Sequence, residues 1–185
     1  MSRRYLEHID FLSLNRTSQR YYTGIINGLA LTTLAMTANR LYAIPFLCSE
    51  PLKIDQIAIN VTTLAAGSAR LGVYADDRLI RPGRLVLDAG EVDTGATGVK
   101  TLSVTLDLLR KQLYWLAIVA NAAPTVRAPA AGSCYPIYGV DSSLGTAVGT
   151  HIYRAFTYGA LPDPFGTPPF TIGIGSFPAV FVRIV

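Results

Sequence analysis

From Tyr21 onward, no stretch of this chain shows a 3.6-residue apolar period bounded by helix caps. Short stretches with a period of two recur instead, separated by Gly, Pro and Asn. Many short strands satisfy that pattern, and long helices do not. In Ala69–Asp76, Ala69, Leu71, Val73 and Ala75 share one face, while Arg70, Tyr74 and Asp76 share the other. In Val99–Leu108, Leu102, Val104, Leu106 and Leu108 oppose Thr101, Ser103, Thr105 and Asp107. One dry and one wet face is what an antiparallel sheet packed on one side requires. Leu113–Ala120 (LYWLAIVA) and Ala179–Val185 are apolar on both faces, which places them centrally or beneath an interface. Leu41–Cys48, Ile54–Val61, Arg84–Ala89 and Ile152–Tyr158 bring the count to about eight. The expected fold is all-β: a jelly-roll-like antiparallel sandwich over residues 21–185.

Residues 1–20 have a different texture, with Tyr5, Leu6, Ile9 and Leu12 spaced as one helical face among Arg3, Arg4, Arg16 and Arg20. A segment this short is marginal as a free helix and too apolar to stay solvated. It reads as an N-terminal arm that orders against a partner, with those eight residues as the contact set. Two Gly- and Pro-rich stretches, Ala128–Gly149 and Gly159–Gly175, read as long loops at one end of the sandwich. Pro162, Pro164, Pro168 and Pro169 bar the second from a central strand, since proline cannot donate to the ladder. Tyr135, Tyr138, Tyr153 and Tyr158 lie in or beside these loops and could stack on a ligand such as a sugar. Tyrosine is equally favoured in half-buried strands and protein interfaces, and the interface use is preferred here.

Half of the 185 residues are hydrophobic and only 15% are charged, against roughly 25% in typical soluble domains. The longest apolar runs fall well short of the ~20 residues of a membrane span. The first residues, MSRRYLEHIDFLSLN, hold no apolar signal core, so neither membrane nor secretory route is expected. The surplus therefore points to burial between subunits, with a closed homotrimer as the expected assembly. Sixteen Lys+Arg against 12 Asp+Glu give a net charge of +4, but the basic residues are dispersed and offer no stripe for nucleic acid. Cys48 and Cys134 are isolated and read as buried free thiols.

Five carboxylates cluster between Leu71 and Asp93: Asp76, Asp77, Asp88, Glu91 and Asp93. They do not alternate as the oxygen ligands of a calcium loop do. Each stands beside Pro82–Gly83, Gly90 or Gly95, where Asp accepts hydrogen bonds from turn backbone, so all five are expected in turns. A nucleophile elbow is absent, since neither Gly132-Ser133-Cys134 nor Gly175-Ser176-Phe177 fits GxSxG. Cys134 with His151 is the one nucleophile–base pair of suitable types. No metal, cofactor or catalytic residue is expected.

The order LGVYADD…PGRLVLDAGEVDTGATGVK…LYWLAIVANAAPTVRA, Leu71 to Ala128, resembles a β-sandwich module of tailed-bacteriophage virion proteins. YYTGIINGLALTTLAMTANRLYAIPF, Tyr21 to Phe46, and the closing FPAVFVRIV are similar to it as well, so the likeness covers nearly everything after residue 20. One departure is Arg110-Lys111-Gln112 before the YWLA strand, where the module usually has a glycine. The resemblance implies a virion location and a non-enzymatic role. Such modules occur at tail-fibre tips, behind long shafts, and in small capsid- or tail-associated proteins. With about 20 residues ahead of the sandwich, a capsid decoration (cement) protein contacting the major capsid protein is expected first. A tail-associated receptor- or carbohydrate-binding module that engages a host glycan is the alternative.

Overall fold

The computed structural model describes residues 16–24, 30–145 and 148–185. In chain order the strands are β1 (Tyr21–Tyr22), β2 (Leu31–Ala35), β3 (Arg40–Cys48), β4 (Leu52–Thr63), β5 (Ser68–Asp76) and β6 (Pro82–Asp93). There follow β7 (Gly98–Leu108), β8 (Gln112–Ala120), β9 (Thr125–Pro129), β10 (Gly149–Ala155), β11 (Thr171–Ile174) and β12 (Phe181–Ile184). One sheet runs β11-β10-β3-β8-β5-β6 and the other β1-β12-β4-β9-β2, with β7 also on β4. Ile57 of β4 pairs with both Val182 and Leu102, so β7 and β12 flank opposite sides of that strand. Val61 likewise pairs with Gly98 and Val126, which puts β9 on the β12 side. Strand β4 is thus met in succession by β12 and then β9. All these pairings are antiparallel, and the chain is an all-β sandwich.

Each of the eight expected strands is present, with ends shifted by a few residues. Four short strands, β1, β2, β9 and β11, were not expected. Strand β11 lies inside Gly159–Gly175, expected as pure loop, and sits at the sheet edge where the proline argument allows a strand. The turn before β8 has its left-handed residue at Lys111, φ 58°. Glycine is the residue that adopts such a φ without a Cβ penalty. Lys111→Gly is therefore expected to be neutral or stabilising by up to ~1 kcal/mol, read from the denaturation midpoint.

The inner faces of the two sheets meet over Ile44, Phe46, Ile57, Ile59, Leu71, Val73, Leu116, Ile118, Phe177 and Val182, all buried. A second apolar layer lies on the other face of β3, β5, β8 and β10. Leu41, Ala43, Tyr74, Trp115, Ala117, Val119 and Ile152 are buried there against Leu161 and Phe165, with Phe156, Tyr158 and Phe170 alongside. The segment after β10 therefore straps the sheet. Its backbone is tied down by Leu161 N–H to Asp88 Oδ2 (3.0 Å), Phe165 N–H to Gly83 O (2.9 Å) and Tyr74 Oη–H to Pro162 O (2.8 Å). Leu85 N–H reaches Asp163 Oδ1 (2.9 Å) and Arg154 reaches Phe165 O (2.7 Å).

This strap corrects two expectations. Tyr74, expected on a wet face, is fully buried, because the outer face of β5 is not wet. The doubly apolar β8 is covered on both sides by its own chain, so that part of the apolar surplus needs no second subunit. Gln19 N–H donates to Ile184 O (2.7 Å), and Arg16 donates to Leu47 O (2.8 Å) with its guanidinium 4.3 Å from the Phe46 ring centre. Residues 16–20 of the expected arm thus contact the sandwich. Arg3, Arg4, Tyr5, Leu6, Ile9 and Leu12 of the expected arm lie outside the described residues.

Candidate functional site

The carboxylates that could have made a metal or acid–base site are each engaged within the chain. Asp76 accepts from Trp115 Nε1 (3.0 Å) and Arg78 N–H (2.7 Å), and Asp77 from Leu79 N–H (2.8 Å) and Arg81 Nε (3.1 Å). Asp93 accepts from Gly95 N–H (2.9 Å). These three behave as the turn acceptors expected. Asp88 and Glu91 lie within β6 rather than in a turn and grip Arg70 of the neighbouring strand, at 2.8 Å each, and Asp88 also accepts from Gly90 N–H (3.1 Å). Gly90, which reads as a turn, is a bulge residue at φ 98° that lets β6 continue. Among the described residues, no three His, Cys, Asp or Glu side chains are placed to hold a metal ion. A chelator is expected to leave Tm unchanged. A calcium site filled at 100 times its Kd would contribute ~2.7 kcal/mol, so a fall of several degrees would overturn this assignment.

Cys134 and His151 are both buried but turned to other partners. The Cys134 thiol points at Ala130 O (3.5 Å), and burial pushes it up to about 11, far from a nucleophilic thiolate. Cys48 is free and buried as well, and burial raises it to about 11. His151 is held down to about 4, first by burial and then by the nearby positive charge of Arg40. Its Nδ1 lies 2.9 Å from Thr150 Oγ1, which itself donates to Gly175 O (2.7 Å). The single hydroxyl proton is used on that carbonyl, so Nδ1 carries the imidazole proton and donates to Oγ1. This is a core histidine in neutral form.

The four loop tyrosines do not form one platform. Tyr138 stacks on Trp115 (6.3 Å between centroids) and gives its hydroxyl to Ile80 O (2.5 Å). Tyr153 packs on Tyr42 and His151 beneath the Arg40 guanidinium, and Tyr158 is half-buried against the second apolar layer. Only Tyr135, 49% exposed, is free to stack on a ligand among the four. Of the arm arginines within the described residues, Arg20 is exposed, while Arg16 is turned onto Phe46 and Tyr22 of its own sandwich.

One open groove on the described surface lies elsewhere, where β4 passes from β12 to β9. Ala179 N–H bridges that handover to Arg127 O (2.8 Å). A groove of about 220 Å³ opens there, lined by Tyr21, Leu31, Ala58, Ile59, Asn60, Val99, Arg127 and Phe181. Its walls are chiefly apolar, and Val99 is 63% exposed on its rim. Two polar groups face it, Asn60 and Arg127, while the Tyr21 hydroxyl is engaged by Gln56. Such a groove suits a side chain or short apolar segment of another protein. No sequence motif announces it, because its residues come from six strands spread from Tyr21 to Phe181. No protein-family model matches this chain, and no curated protein matches it.

Proposed function

We propose that this chain is a non-enzymatic structural protein of a tailed-bacteriophage virion, acting as a capsid decoration protein that holds neighbouring coat subunits together. The observation that carries the reading is how the side chains are used. Groups capable of chemistry, the clustered acids, His151 and both thiols, are engaged or buried, whereas apolar contact surface is left open at the β4 groove. Adhesion needs surface, and this molecule offers surface. The sequence resemblance to virion sandwich modules supplies the setting, the host-assembled particle. Copies self-associate on the head, with the trimer as the expected unit, and burial at their contacts resists outward strain on the shell.

The tail-tip reading, with a host glycan as ligand, has one observation in its favour: Tyr21, Asn60 and Arg127 combine an aromatic ring with polar groups around one groove. Against it, three of the four loop tyrosines are packed inward. Heads assembled without this chain and then incubated with purified protein separate the readings. Decoration predicts saturable binding in many copies per head and raised resistance to heat. Binding confined to a few copies at the tail, together with glycan-array signals lost in Tyr21→Ala, would replace decoration with the tail reading.

A further inference from the structure

We propose that β11 is a pairing edge, through which two copies of this chain join their sheets by antiparallel β11–β11 contact about a two-fold axis. The inference does not depend on the virion reading, and this two-fold contact is separate from the trimer contact expected on the head. Strand β11 ends its sheet. Its inner side pairs with β10 through Ile174 with Gly149, Gly173 with His151, Ile172 with Ile152 and Thr171 with Tyr153. Among the described residues, no strand pairs with its outer side, so that row of N–H and C=O groups is a template for another strand.

Edges of this kind are normally defended by charge, by proline within the strand or by a covering element. Among the described residues β11 has none of these three, though at four residues it is short. From Pro168 to Pro178 there is no charged residue, and Ile172 and Ile174, on one face, are 49% and 61% exposed. The other edges differ. Strand β6 carries Arg84, Asp88 and Glu91, β7 presents Lys100, Thr101, Ser103, Thr105 and Asp107, and β1 is two residues long. Strand β2 (LTTLA) is likewise without charge or proline, but it bears threonines where β11 bears isoleucines. The undefended, isoleucine-bearing edge is β11 alone among these.

The self-complementary geometry of an edge selects a second copy as the occupant. Rotated by two-fold symmetry, each free donor of one β11 meets an acceptor of the other, and the contact closes without leaving an edge to propagate. Neutral strands bring no repulsion to the contact, although each chain carries +4 overall. Ile172 and Ile174 of the two copies come together across the new pair and lose water. Gly173 holds the strand in place from below, since any Cβ there would overlap the His151 ring.

The test uses the full chain. Sedimentation across a concentration series should show reversible association, and hydrogen exchange of amides in 171–174 should slow as concentration rises. The doubly substituted Ile172→Lys, Ile174→Lys protein should keep its Tm, because both side chains are exposed, and should lose that association. Exchange in 171–174 that is the same at low and high concentration would overturn the proposal, whatever the oligomeric state. So would undiminished association of a folded double variant. If the variant misfolds, the exchange measurement on the unaltered chain decides alone.

Discussion

Trp115→Ala should lower the unfolding free energy by ~3–5 kcal/mol, the cost of truncating a large buried aromatic. Trp115 is the one tryptophan of the chain and has no exposed surface, although it points away from the inter-sheet core. Its face of β8 is roofed by the strap, where Phe165 meets Tyr74 edge-on at 5.2 Å, and by Tyr138 of the loop before β10, which stacks on the indole. Truncation leaves a cavity that the strap cannot readily close, because several backbone hydrogen bonds hold it at fixed height above the sheet. It also strips Asp76 Oδ1 of its indole donor. Urea denaturation reads the loss directly. The folded protein should emit as a shielded indole and shift to the red on unfolding. A cost under about 1 kcal/mol, or hydrated emission from the folded state, would mean that the strap does not seal this face.

That strap also marks the limit of what the residues disclose in order. The period of two located β5 and β7, and the doubly apolar run at Leu113–Ala120 correctly demanded cover on both faces. What supplies the cover is not written locally. An apolar outer face reads the same whether a second subunit or a distant proline-rich segment lies on it, so Leu161 and Phe165 went unrecognised as core. Asp88 and Glu91 were misplaced for a narrower reason. Gly90 signals a break, and only the pairing of β6 with β5 reveals it as a bulge within a continuous strand. Strands of two to five residues, such as β1 and β2, are too short for alternation to register. The groove was invisible because strand order, rather than sequence spacing, brings Leu31, Val99 and Phe181 together.

Acidification should remove about 3 kcal/mol of stability between pH 6.5 and pH 4 through His151 alone. In the unfolded chain the imidazole titrates near 6.5, and in the fold it is held at about 4, by burial and then by Arg40. Between those values the unfolded state binds the proton and the folded state does not. The stabilisation is therefore complete above pH 6.5, declines as pH falls through the window, and has gone below pH 4. The surroundings explain why the proton is refused. Tyr42 and Arg40 face the ring from β3, Tyr153 from β10, Gly173 from β11 and Phe177 from the approach to β12. Three are aromatic, one is a glycine backbone, and the remaining one is already cationic. With Nδ1–H committed to Thr150, a second proton would go to Nε2, on the side of the ring packed against Gly173. Carboxylates also lose favourable contacts on acidification, so the diagnostic quantity is the difference in slope between this chain and His151→Leu. The variant should be less stable at neutral pH and should lack the slope of ~1.4 kcal/mol per pH unit that a single released proton imposes in mid-window. Parallel stability curves for the two proteins from pH 6.5 to 4 would show that His151 accepts its proton in the folded state as readily as in the unfolded one.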